Sequence, residues 1–569
     1  MKPFDHEKFI GYISEVSAQT VLMQFPVAPL VHPFYYHGSV YLSGSVGSFV
    51  VIEGTERGFL GRLIEVSLPQ GERKEITDQN THMESDEFHP VGRIELLAIF
   101  NVYAPEKIEK TISRYPTIGS KVYSCSDEQI SLYVAKFGEK KSEAVIPYAE
   151  IGKLTSNDAV CNVSINSLFG RHCAVVGTTG GGKSWTVATL LEMVEQSTKN
   201  KCILIDATGE YADINESMTS IPIGTGEYFF DYKDLTIDEL TFLLRPSSRV
   251  QLPKLMEAIR SLKMCRLDTN NELVDYKHSV TGNIVKSQRS KEAYNKFMLA
   301  NSSSIERNDC DFDFMMLPHQ IYFECVWDTD PRDDTKWGGR NENDYSNCMS
   351  LINRTRNIIN TAEYNGIFAF NRTSEEFRSS KNLIDEINKH LDGNKSILRL
   401  DFSSVSFDYQ VREILVNAIG KYLLQKARAG AFKKAPVLVF VDEAHQFLNK
   451  NIRDEYFDAK PLDAFEQISK EARKYGLFIC IATQMPRDIP LGTLSQMGTF
   501  IVHRLINEQD KKAVESAASA ANRNILSFLP ILGEGEAVIV GVDYPMPLTV
   551  KIKEPTRKPD SNTPKFACK

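Results

Sequence analysis

Hydrophobic and polar positions change rhythm along this chain. From the start to about residue 155, short runs rich in β-branched and aromatic residues are punctuated by Gly, Pro and Asn: GYISEVSAQTVLMQF, GSFVVIEG, GFLGRLIEVSL and RIELLAIFNVY. Strands this short at this spacing predict a small β-barrel. From about residue 165 the apolar runs alternate with helical spacing. HCAVVG leads into SWTVATLLEMVEQ; then come KCILIDATGEY, KSILRLDFSS, REILVNAIGKYLLQKA, APVLVFVDEAHQFL, YGLFICIATQ and GTFIVHRL. Strands alternating with helices predict an α/β domain on a mostly parallel sheet. Between about residues 232 and 390 the pattern is polar and helix-like, with LTIDELTFLL, LPKLMEAIRSLKM and SKEAYNKFMLA, and reads as a helical insertion. The expected division is a barrel over residues 1–155, an α/β domain over 156–553 and a tail, EPTRKPDSNTPKFACK, over 554–569.

Composition narrows the class. A chain of 569 residues suits several domains. With 42% apolar and 25% charged residues it is an ordinary globular protein with ample chain for a core. A formal net charge of −8 argues against an overall basic coat, though a local basic lining needs no net charge. Ten cysteines without a CxxC pair or a zinc-spaced cysteine–histidine cluster imply a reduced, cytoplasmic setting and no structural metal. The opening MKPFDHEKFIGYI lacks a signal-peptide core, and no run approaches a membrane span, so no membrane partner is expected.

The candidate chemistry begins at VVGTTGGGKSWT. Residues Gly177 to Ser184 fit GxxxxGK[ST] in full, after an apolar run and before a helical one. Backbone N–H groups around Gly180, Gly181 and Gly182 can curl about the phosphates of ATP. Lys183 would balance the β and γ charges, and Ser184 would bind Mg²⁺. In VLVFVDEAHQF, Asp442 ends a buried strand and can join the Mg²⁺ sphere, while Glu443 is placed to polarise a water. The separation, 442 − 183 = 259 residues, requires an inserted subdomain. The letters DEAH suggest a superfamily-two helicase, but such proteins carry a second motor domain, and residues 446–569 are too few for one. One motor domain per chain implies a site completed by a neighbour, with Arg473 of ISKEARKYGLFICIATQ as the candidate arginine and Lys474 beside it. Thr483 and Gln484, at the end of the next strand, can sense the γ-phosphate or orient water. Asp206 in DATGE reads equally as a turn residue or a catalytic carboxylate. Lys286, Arg289 and Lys291 read as a solvated charged face.

The ordered set GRHCAVVGTTGGGKS, ILIDATGEYAD, YKDLTIDEL, VFVDEAHQF, KEARKYGLFICIATQMPRDIP and LSQMGTFIVHRL resembles the HerA family of hexameric DNA-pumping ATPases, relatives of FtsK. The resemblance covers most of residues 160–550. It implies a RecA-like P-loop core behind an N-terminal HAS-barrel, and a homohexamer that translocates or unwinds DNA with ATP and Mg²⁺. It assigns Arg171, Asp206, Glu443, Gln484 and Arg473 to the ATP site. It further implies a partner nuclease or sirtuin-like effector, docked through the barrel, and a possible anti-phage role. Ala472 stands where the family's GRKYG has Gly, and Trp185 stands where a smaller residue is usual; neither removes a catalytic group, and Trp185 is expected at the nucleotide site, where it alters the fit or packs as an aromatic at the helix start. The competing expectation is a nucleotide-controlled scaffold that assembles and regulates an effector. A third is a protein-remodelling ATPase.

Overall fold

The computed structural model describes residues 4–32, 34–36, 39–41, 44–69, 89–109, 114–135, 137–138, 147–156, 158–214, 216, 218–371, 380–448, 462–518, 528–544 and 546–561. The end of the expected tail, 562–569, lies outside them. The chain forms two compact units: residues 1–200 with 478–487 and 491–569, and residues 201–477 with 488–490.

The first unit opens with β1 (Phe9–Val16), β2 (Thr20–Gln24), β3 (Phe49–Ile52), β4 (Arg57–Ser67), β5 (Val91–Asn101), β6 (Ala104–Glu109) and β7 (Lys121–Ser124). They pair in the order β2-β1-β7-β3-β4-β5-β6, and β2 also pairs with β5, so six of them close into a barrel. Period-two alternation drives this: Val21 and Met23 of β2 are buried, whereas Thr20, Leu22 and Gln24 between them are more exposed. Ile10, Ile13, Val50, Ile52, Phe59, Leu63 and Ile94 fill the same interior. The long strands β4 and β5 bend where their register shifts at Leu60/Gly61. A Cβ at Gly61 would lie 2.4 Å from Cγ2 of Ile94, so only glycine permits that approach. Closure leaves the six strands without a free edge.

Apart from four strands of two or three residues, the other strands are β8 (Tyr148–Leu154), β9 (Val160–Ser164), β10 (Cys173–Val176), β11 (Lys201–Asp206), β12 (Thr219–Pro222), β13 (Ile397–Asp401), β14 (Val437–Val441), β15 (Leu477–Thr483), β16 (Thr499–Val502), β17 (Glu536–Gly541) and β18 (Leu548–Ile552). In the first unit β10 lies between parallel neighbours β15 and β16. All four of its residues are buried, which is why CAVV reads as an unbroken apolar run. From β16 the sheet continues antiparallel through β17, β18, β8 and β9. Strand β8 falls before residue 155, in the stretch read from sequence with the barrel, yet it pairs with β18.

In the second unit β14, β11, β13 and β12 form a parallel array in that order. Between β12 and β13 the chain is mainly helical, including Ile237–Leu244, Gln251–Leu267, Glu292–Ala300, Leu317–Phe323, Glu342–Asn360 and Leu383–Asp392. The α/β core, its helical insertion and the preceding barrel agree with the fold class expected from sequence. The insertion corrects one expectation. Lys286 is buried, not solvated: its Nζ lies 2.5 Å from Oε2 of fully buried Glu324 and 4.7 and 5.4 Å from the ring centres of Tyr294 and Trp337. A lysine paired with both a carboxylate and aromatic faces holds helices together and is not available to a polyanion.

Candidate functional site

In the first unit the loop after β10 enters the helix Lys183–Ser197 through Gly182, whose φ of 104° is accessible to glycine and strained for other residues. No side chain caps this helix. Its first-turn N–H groups therefore lack a side-chain acceptor and form the kind of donor cluster that binds an anion. Gly180 also has positive φ, at 71°. Lys183 is buried, and its Nζ donates to the Thr178 carbonyl at 3.2 Å.

Neighbouring strand ends are stitched to this loop. The Gly177 N–H donates to the Thr483 carbonyl at 3.3 Å, and the Thr179 hydroxyl donates to Oε1 of Gln484. The structure thus brings Gln484 to the phosphate loop. Trp185 follows Ser184 in the helix, and Nζ of Lys558 sits 4.8 Å from its ring centre. Arg171 is placed elsewhere. It stands before β10, whereas the loop follows that strand, whose four steps from Cys173 to Gly177 span roughly 13 Å. Its Nε pairs with Oδ2 of Asp543 at 3.1 Å.

The second unit carries the carboxylates. Asp206 ends β11 fully buried, with Oδ1 accepting from the N–H groups of Thr208 and Gly209 at 3.2 and 2.9 Å. Its Oδ2 accepts from the Tyr211 N–H at 3.3 Å and from Nε of Arg399 at 2.7 Å. Four protein donors thus make Asp206 the anchor of the loop Thr208–Tyr211. Arg399 in turn reaches Asp401 at 2.9 Å and Ser220 at 2.8 Å. Asp442 follows β14 and is buried; its carboxyl is pushed up to about 8, first by burial and then by Glu443, Asp206 and Glu210, with a backbone hydrogen bond opposing. Glu443 has a left-handed backbone, φ 43° and ψ 47°, a conformation that holds about 1–2 kcal/mol of strain in a non-glycine residue. One of its carboxylate oxygens is 3.3 Å from Nδ1 of His445.

Arg412 ties the surrounding loops together. Its guanidinium donates to the carbonyls of Val405 at 2.7 Å and Ala207 at 3.3 Å, and to Oε1 of Gln446 at 3.2 Å. Arg473 lies exposed in the turn Ala472–Tyr475, ahead of β15, and Gly476 closes that turn at φ 82°. Sequence reasoning missed Glu210, Arg399, Arg412 and His503. A readable signal existed for one of them: Arg399 interrupts the apolar strand ILRLD, where a buried charge demands a partner. Among the described residues no three His, Cys, Asp or Glu side chains are grouped to hold a metal by themselves. Mg²⁺ does not require such a group, since it takes one or two carboxylates together with substrate phosphates and water.

Two family models match the chain: "Helicase HerA, central domain" over residues 149–426 and "Helicase HerA-like C-terminal" over residues 415–562. The chain is similar to "Probable helicase MJ1565" of Methanocaldococcus jannaschii, at 24% identity over 89% of this chain and 86% of that one. It is also similar to "DNA double-strand break repair helicase HerA" of Sulfurisphaera tokodaii, at 26% identity over 77% and 73% of the two chains. Among solved structures, VirB4 of Thermoanaerobacter pseudethanolicus aligns at 15% identity, with TM-score 0.41, over 73% of this chain and 98% of that one. With its phosphate loop, its strand-end carboxylates and these two matched domains in order, the chain belongs to the HerA helicase family.

Proposed function

We propose that this protein is an ATP-dependent DNA translocase or helicase working as a homohexameric ring. The observation that carries the reading is the uncapped helix start at Lys183, framed by left-handed glycines, in a chain of the HerA family. In this reading Lys183 balances phosphate charge, and Ser184 and Asp442 hold Mg²⁺. Burial raises the Asp442 carboxyl most, and the like charges of Glu443, Asp206 and Glu210 that add to it suit a divalent cation, which would also neutralise charge on the nucleotide. Glu443 polarises the attacking water and Gln484 reports the state of the loop. Asp206 acts through the loop it anchors. Arg473, exposed in its turn, is supplied to a neighbour's site; Arg171, distant from its own loop, serves a neighbour as well.

DNA would be held through phosphates by a local lining in the ring, since the chain as a whole carries −8. The chain before β8 is the docking and oligomerisation module, β8 to residue 553 the motor and 554–569 the tail. In this reading the barrel binds a partner, a nuclease or sirtuin-like effector in an anti-phage or repair setting. The second reading is a nucleotide-controlled platform for that effector. No helix among the described residues is long and apolar enough to cross a membrane, and the reading places the protein in the cytoplasm.

Steady-state hydrolysis of ATP, with and without linear double-stranded DNA and with mass measured in solution, tests this. The expected result is a DNA-stimulated hexamer in which Lys183→Ala and Glu443→Ala each lose about 10²–10⁴-fold in rate. Hydrolysis by the hexamer that ignores DNA would sink the motor reading and leave the platform.

A further inference from the structure

His503, the residue after β16, meets the phosphate loop at several points. Its backbone N–H donates to the Val176 carbonyl at 2.8 Å, next to the first glycine of the loop. A Cβ at Gly177 would lie 2.6 Å from Cβ of His503, and one at Gly182 would lie 3.4 Å from its Cε1. The Cβ of His503 thus leaves room only for glycine at Gly177, while its ring lies at ordinary contact distance from Gly182, a glycine required by its φ of 104°. The adjoining Arg504 carbonyl accepts from the Thr178 N–H at 3.0 Å and from its hydroxyl at 3.2 Å.

The ring is fully buried and both nitrogens are engaged. Nδ1 lies 2.9 Å from the Glu536 carbonyl, which can only accept, so Nδ1 carries the proton. Burial, with the charge of Lys183, lowers the imidazolium to about 4 and keeps the ring neutral at ordinary pH. Nε2 is then an acceptor, 2.8 Å from the hydroxyl of Thr186. That hydroxyl has one proton, shared between Nε2 and the Gly182 carbonyl at 3.0 Å. Glu536 is fixed in turn, because its Oε2 accepts from the Gly533 N–H at 2.7 Å. A hydrogen-bonded chain therefore runs from the turn before β17, through the imidazole, into the first turn of the phosphate-binding helix.

We propose that His503 is a positioning residue of the phosphate cradle, its neutral ring holding Thr186, and through it the Gly182–Lys183 turn, in the form that receives ATP. This rests on the nucleotide reading above and adds to it a residue that touches neither phosphate nor metal. Because the brace acts on the cradle and not on the attacking water, it governs affinity more than turnover.

The test measures ATP affinity and steady-state kinetics on the full chain, with thermal unfolding alongside. His503→Ala should raise Kd and KM for ATP about tenfold while kcat stays within about threefold. His503→Gln should restore most of the affinity, because its Oε1 reaches the place of Nε2 and accepts from Thr186. His503→Asn can reproduce only the Glu536 contact and should not. Thr186→Val approaches the same bond from the other side and should repeat the rise in KM, which covers the case in which His503→Ala does not fold. Equal KM in wild type and Thr186→Val, or recovery by Asn as complete as by Gln, overturns the proposal. Wild-type protein that fails to bind ATP overturns the nucleotide reading and this inference with it.

Discussion

At the scale of single residues, the buried pair of Asp206 and Arg399, 2.7 Å apart, holds the loop Thr208–Tyr211 in place. GGGKS and DE announce themselves because phosphate binding and water activation use neighbours in sequence. Asp206 stood undecided between turn and catalysis because its decisive partner, Arg399, lies 193 positions away. His503 reads as the polar end of an apolar strand until Thr186, 317 positions earlier, is placed beside it. Two predictions belong here. Asp206→Ala leaves Arg399 buried without its principal counter-ion, so it should lower the stability of the second unit by about 3–5 kcal/mol in denaturant titrations. A change under about 1 kcal/mol would mean that Asp401 and Ser220 suffice to hold Arg399. Glu443→Gly relieves a left-handed backbone and should raise stability by about 1 kcal/mol while removing hydrolysis. Loss of both stability and activity would contradict the assignment of strain to this position.

At the scale of elements, the barrel strands and the central parallel strands followed from alternation and unbroken apolar runs, since each pattern reports burial on one face or two. Strand β8 did not, because its partner β18 lies almost 400 residues later and nothing in YAEIGKL marks which sheet it joins. The insertion's helices were legible as a group, but Lys286 shows why a run of charges misleads: a buried carboxylate and two rings changed its surroundings. Helix Leu383–Asp392 carries a testable pH dependence. His390 in its last turn is buried, and burial together with the Lys201 charge lowers it from 6.5 to about 4. The unfolded chain then binds the proton first as pH falls, so stability present above 6.5 is lost on the way down to 4. Between pH 7 and 5 this group alone should remove about 2 kcal/mol from the second unit, and His390→Leu should flatten that slope. An unchanged slope in the variant would place the acid sensitivity elsewhere.

At the scale of the whole molecule, the proposed motor, in a chain with a net charge of −8, would hold DNA through local cationic contacts. DNA stimulation should therefore weaken steeply with salt while basal hydrolysis does not. The measurement that bears most directly on the motor is displacement of a third strand from a DNA triplex by the full-length protein. Displacement that requires ATP and disappears in Glu443→Ala is the predicted result. ATP turnover at full rate with the triplex left intact would contradict translocation and identify the nucleotide cycle as a switch.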